Sequence, residues 1–240
     1  MSDMSIKNII EKQFDMCAVE VYRADSDAHV PIVYSMEYEE VGAALISECE
    51  KLAAPPFHLV TVSQIDWDAS MSPWPSEKVL SDEDDFKGQA DDFLRYVIDE
   101  VLPCAEGELG ISGDGDNRDV CRVLSGYSMA GLFALYASYQ ATPFHRFVSA
   151  SGSLWYPRFV DYALTHEFER LPECVYLSLG DRESRTSNET MRKVEDATRT
   201  IADELKKRGV PSIFELNKGN HFKQTTLREA KGITWALSLQ

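Results

Sequence analysis

The chain has 240 residues, with 24 lysines and arginines against 40 aspartates and glutamates, for a formal net charge of −16. That balance argues against duplex nucleic acid or an anionic bilayer as a partner, since both reward clustered Lys and Arg. Hydrophobic residues make up 44% and aromatics 10%, which supplies a sizeable core and excludes the composition of a disordered chain.

Cys17, Cys49, Cys104, Cys121 and Cys174 are widely spaced, without a C-x-x-C pair or a Cys/His cluster of zinc-ligand spacing, so neither a disulfide framework nor a metal is expected. The first thirty residues carry Asp3, Glu11, Asp15 and Glu20 where a secretory signal has basic and then apolar residues. No apolar run reaches the roughly 18 residues that span a bilayer. A reducing cytoplasm is the expected setting.

In chain order, residues 16–23 alternate as a half-buried strand, and Asp25-Ser26-Asp27 reads as a turn. Residues 30–36 and 57–63 read as two further strands joined by a helix over 41–53, a βαβ unit that favours parallel pairing. The stretch 64–88 shows no periodicity and holds Trp67, Trp74 and the run Asp82-Glu83-Asp84-Asp85; a loop of this length inside a compact domain is expected to line a site. A helix over 89–102 is expected to stop at Pro103, ahead of a polar loop with Gly110, Gly113 and Gly115.

Strands follow at 120–124, 147–151, 174–179 and 212–216, with helices at 129–139, 193–208 and 225–237. The expected architecture is a single α/β domain over 1–240.

Between the strand at 120–124 and the next helix stands Ser125-Gly126-Tyr127-Ser128-Met129-Ala130-Gly131, a nucleophile-elbow pattern with alanine in the fifth place. Small flanking residues are required because such a serine occupies a strained turn packed against neighbouring backbone. The same turn directs the Met129 N–H, at a helix N-terminus, toward a carbonyl under attack. A serine nucleophile needs a base. Of five histidines, His29, His58, His145 and His166 lie at turns, strand starts or charged surfaces. His221, in Lys218-Gly219-Asn220-His221-Phe222 after the last strand, alone fits the chain order of serine, acid, histidine. The acid is expected after the strand 174–179, where Asp181 and Glu183 both stand.

Together with Asn117-Arg118, Ser151-Gly152-Ser153-Leu154-Trp155-Tyr156, Gly180-Asp181-Arg182-Glu183 and Gly219-Asn220-His221-Phe222, the elbow resembles the putative esterase family of the α/β-hydrolase superfamily. That family includes enterochelin esterases of the Fes and IroE type and the esterase D hydrolases. The resemblance implies an α/β-hydrolase fold, with a mostly parallel central sheet and helices on both faces. It also implies Ser128 as nucleophile, His221 as base and, three positions after the strand-closing glycine, Glu183 as acid; a Ser–His dyad also occurs in such siderophore esterases.

It places a second oxyanion donor in the turn after the strand 31–35, where members carry Asp-Gly. This chain has Met36-Glu37-Tyr38-Glu39, leaving Tyr38 or Glu37 for the role. The family's arginine ahead of a Thr-Pro is absent from Trp67-Asp68-Ala69-Ser70-Met71-Ser72-Pro73.

The expected function is a serine carboxylic-ester hydrolase working through an acyl-enzyme, with Trp155, Trp67 and Trp74 walling an apolar pocket and no metal or organic cofactor. Asp114-Gly115-Asp116-Asn117 lacks the distal Glu of an EF-hand and reads as a solvated turn. The net charge and the missing arginine favour a small or neutral ester over an anionic enterochelin-like trilactone. A binding protein that keeps the fold without turnover is the alternative from another class.

Overall fold

A computed structural model describes residues 6–26, 30–79, 85–111 and 120–239. The readings at Asp27, His29, Asp82-Glu83-Asp84, Gly113 and Asp114-Gly115-Asp116-Asn117-Arg118 lie outside the described residues.

The first half contains β1 (Ile6–Gln13), β2 (Ala18–Ala24), β3 (Ile32–Met36), α1 (Gly42–Lys51) and β4 (His58–Ser63). The long stretch that follows holds a four-residue helix, α2 (Trp67–Ser70), and a short antiparallel pair, β5 (Pro75–Ser76) with β6 (Phe86–Lys87). Next come α3 (Ala90–Tyr96), a π-helical turn (Val97–Val101) and α4 (Leu102–Glu108). The second half runs β7 (Arg122–Tyr127), α5 (Met129–Ala137), β8 (Arg146–Ala150), α6 (Phe159–Thr165), β9 (Cys174–Gly180), α7 (Val194–Lys207), β10 (Ser212–Asn217) and α8 (Thr225–Ser238).

Eight strands form one sheet in the order β1-β2-β4-β3-β7-β8-β9-β10, antiparallel at β1–β2 and β2–β4 and parallel elsewhere. This is the α/β-hydrolase order, and side-chain alternation along its strands divides the core between two faces. Val33, Val123 and Val148 pack against α1 and α8, whereas Tyr34, Leu124 and Phe147 join α3 to α7 on the other side. All nine residues of α5 are buried, so this apolar helix has no face for solvent. Because the central strands are parallel, the carboxyl ends of β3, β7, β9 and β10 share one edge, where ligands bind in open α/β sheets.

Two expectations need correction. The helix from residue 90 does not stop at Pro103: the wider π-helical turn just ahead accommodates the proline ring and its missing N–H, and the helix resumes. The turn placed at 125–128 is tighter, since β7 continues through Ser125, Gly126 and Tyr127 and the reversal falls on Ser128. Ahead of the first expected strand, β1 is a largely exposed edge strand, whose pattern IKNIIEKQ carries no apolar alternation to read.

Candidate active site

Ser128 reverses the chain between β7 and α5 with φ +61° and ψ −119°, a conformation that costs a non-glycine residue strain and must be held by its surroundings. Its N–H donates to the Ala150 carbonyl at 3.1 Å, and its own carbonyl accepts from Ser153 N at 3.0 Å and Leu132 N at 3.1 Å. A Cβ on Gly126 would stand 2.5 Å from the Ala130 Cβ and 2.6 Å from the Ala130 carbonyl carbon, so the first glycine of the elbow is obligatory. Alanine serves in the fifth place because its methyl fills the space that Gly126 leaves.

Ser128 Oγ lies 3.0 Å from His221 Nε2, and His221 Nδ1 lies 2.8 Å from Glu183 Oε2. Glu183 Oε1 accepts from the Gly180 N–H at 2.6 Å, the Ser151 hydroxyl at 2.8 Å and Arg228 at 2.9 Å. Burial alone would push this carboxyl up; the hydrogen bond and charge of His221, with the Gly180 and Ser151 donors, outweigh it and hold Glu183 below the usual carboxylate range. A hydroxyl bonded to an imidazole whose second nitrogen meets an ionised carboxylate is the arrangement that activates a serine.

Asp181, the competing acid, faces the other way. Half exposed, it accepts from the Gly219 N–H at 2.8 Å, a bond that lowers its pKa and fastens the loop carrying His221. The other described histidines are engaged elsewhere. His58 Nδ1 accepts from Ala24 N, His145 Nδ1 accepts from Arg122 N, and His166 stacks on Tyr162 at 3.9 Å.

Two further residues hold the site together, Arg228 without a local motif and Tyr127 from within the elbow. Arg228 of α8, 1% exposed, donates to Glu183 Oε1, to Ser151 Oγ and Tyr127 Oη at 3.1 Å each, and to the Asn220 carbonyl at 2.8 Å. Tyr127 donates its hydroxyl to the His221 carbonyl at 2.6 Å, and burial pushes that phenol up to about 12. Arg228 thus ties the acid to the histidine loop. Gly180 lets it pass, since a Cβ there would come within 2.8 Å of Nη2.

The Met129 N–H is one of the orphan amides at the start of α5, beside Ser128. In the turn after β3, the Glu37 N–H is committed to the Val62 carbonyl at 2.8 Å. Glu37 is therefore corrected as an oxyanion donor, and the Tyr38 N–H is the remaining candidate.

Two chambers meet at Ser128 and His221. The smaller, about 170 Å³, is apolar, with Trp67, Phe86, Met129, Trp155 and Met191 among its walls. The larger, about 570 Å³, includes Glu37, Tyr38, Glu39, Trp67, Asp68 and Glu229. Trp67 and Trp155 are thus at the site. Trp74 is not: its indole N–H donates to the Pro157 carbonyl at 3.0 Å, and its ring sits among Tyr136, Tyr156, Phe159 and Tyr162.

The family model described as Putative esterase matches residues 40–225, and the chain belongs to that family. In Bacillus subtilis (strain 168), the uncharacterized protein YbbA is 22% identical over 170 residues, 68% of this chain and 66% of its own length, just under two thirds of that relative. An IroE-like serine hydrolase from Shewanella oneidensis is similar in structure with a TM-score of 0.74 at 16% identity, over 96% of this chain and 79% of that one. The enterobactin esterase FES from Shigella flexneri matches with a TM-score of 0.68 at 20% identity, over 98% of this chain and 60% of that one. At these identities the two structures share the fold.

Proposed function

We propose that this protein is a serine carboxylic-ester hydrolase in which Ser128, His221 and Glu183 act as nucleophile, base and acid. The observation that carries the reading is the unbroken chain of hydrogen bonds from Ser128 Oγ through both nitrogens of His221 to a buried carboxylate. Ser128 Oγ attacks the ester carbonyl carbon while its proton passes to His221 Nε2. Glu183 accepts the Nδ1–H, which fixes the tautomer and stabilises the imidazolium. The N–H groups of Met129 and Tyr38 receive the developing oxyanion. Collapse expels the alcohol, protonated by His221, and leaves an acyl-Ser128 ester; water, deprotonated by the same imidazole, then releases the carboxylic acid.

The substrate is a small molecule without net negative charge. FES is described as an enterobactin esterase, but the larger chamber here has Glu37, Glu39 and Glu229 in its walls, and neither chamber has a lysine or arginine among its described lining residues. An anionic trilactone is repelled by such walls.

Steady-state hydrolysis of p-nitrophenyl acetate tests the reading. Ser128→Ala should lower kcat by at least about 10³-fold while leaving the folded protein intact. Equal rates in the two proteins would overturn it and favour a binding role for the fold.

A further inference from the structure

The larger chamber has carboxylates in its floor that the esterase mechanism does not use. Glu37 is 6% exposed and Glu229 2% exposed, yet both line the cavity that opens on Ser128. Ser35 Oγ lies 2.7 Å from Glu37 Oε1 and 2.6 Å from Glu229 Oε1, and Ser125 donates to Glu229 Oε1 at 2.6 Å. Ser35 has a single hydroxyl proton, so it can donate to only one of the two carboxyls; the other contact requires a carboxyl proton. With two hydroxyl donors, Glu229 Oε1 is the better place for the charge, and Glu37 donates its proton to Ser35. The Oε2 atoms of both residues accept from no described residue. Burial pushes the Glu229 carboxyl up as well, so its ionised form in this cavity wall is favoured when a cation lies against it.

The upper walls have the complementary chemistry. Tyr38, 72% exposed, stands edge-on to Trp67 with ring centroids 5.3 Å apart, and Phe222, 84% exposed, meets the His221 ring at 5.2 Å. Glu39 adds an acidic side chain to the same cavity. Aromatic faces above carboxylates are the setting in which an organic ammonium ion is stabilised by ring quadrupoles and by charge together.

We propose that this chamber binds an ammonium group and that the preferred substrates are esters carrying one; the inference rests on the esterase reading of Ser128. A cation seated on the Glu37–Glu229 pair leaves the reacting carbonyl within the reach of Ser128, and the smaller apolar chamber takes the uncharged end of the ester.

The test compares acetate release from acetylcholine, its uncharged isostere 3,3-dimethylbutyl acetate and anionic 2-sulfoethyl acetate, which share one acyl group. The expected kcat/KM for acetylcholine is at least about tenfold above the isostere, with the sulfonate lowest. In the Glu37→Gln, Glu229→Gln double variant, the preference for acetylcholine over the isostere should shrink to about twofold or less. Should that variant not fold, the wild type decides: tetramethylammonium chloride should inhibit hydrolysis of the isostere competitively, and sodium chloride at equal ionic strength should not. An isostere cleaved as well as acetylcholine, or no difference between the two salts, overturns the ammonium site alone. No cleavage of any ester, with no Ser128-dependent labelling by a fluorophosphonate, overturns the esterase reading and this inference with it.

Discussion

Glu183 has both carboxyl oxygens engaged, one with His221 and one with Gly180, Ser151 and Arg228. Glu183→Gln should therefore lower kcat by about 10³- to 10⁴-fold, because the amide cannot stabilise the imidazolium and misdirects the tautomer. Asp181→Asn keeps an acceptor for the Gly219 N–H and should change kcat by less than about threefold. Steady-state assays of the two variants check this, and the reverse order would move the acid to Asp181.

Glu37 makes a different prediction, for stability. Burial and the neighbouring Glu229 charge push its carboxyl well above the usual range. The folded protein then holds a proton that the unfolded chain releases. This contribution is complete below the unfolded pKa and is lost as pH rises toward the folded value. In Glu37→Gln the amide replaces the acid as donor to Ser35, so its melting temperature should gain on the wild type as pH rises from about 5 to about 9. A constant difference across that range would contradict the shared-proton geometry.

Ser128, His221 and the strand-closing Gly180 were legible because each stands at a turn with its own local signature. Arg228 and Glu229 were not. They sit side by side in α8, where charged residues in a helix read as a solvated face, and only the packing of α8 beneath the elbow buries them.

At the scale of elements, the elbow is a three-way contact between β7, α5 and the end of β8. A Cβ on Gly131 would stand 2.9 Å from the Gly152 Cα, and one on Gly126 would meet both the methyl and the backbone of Ala130. Gly126→Ala should then cost about 1–3 kcal/mol and most of the activity, and adding Ala130→Gly should not rescue it, because the backbone clash remains. Ala130→Gly alone should fold and turn over ester, at a helix cost of about 0.5–1 kcal/mol. Thermal melts and p-nitrophenyl acetate assays of the three variants check the order, and rescue by the double change would locate the clash in the methyl alone.

Most elements followed from period and punctuation: α7 has an amphipathic stripe closed by Gly209 at φ +78°, and β9 is a mostly apolar run, interrupted by Ser178, that is buried on both faces. What failed did so for identifiable reasons. Pro103 breaks a regular α-helix but not one with a π-helical turn ahead of it, and the edge strand β1 buries too little to show a pattern.

For the whole molecule, the charge of −16 has a local counterpart in the carboxylates of the larger chamber, so bulk charge and chamber charge agree in sign. The parallel half of the sheet brings the ends of β3, β7, β9 and β10 to one edge, so the candidate donors, nucleophile, acid and base converge from segments spread between Tyr38 and His221. The account stands on Ser128 being an activated nucleophile. Its most direct measurement is intact-mass and peptide mapping after reaction with a fluorophosphonate. The account predicts a single stoichiometric adduct on Ser128, absent from Ser128→Ala and strongly slowed in a His221→Ala variant. No adduct under conditions that leave the protein folded, or an adduct that persists in Ser128→Ala, would contradict it.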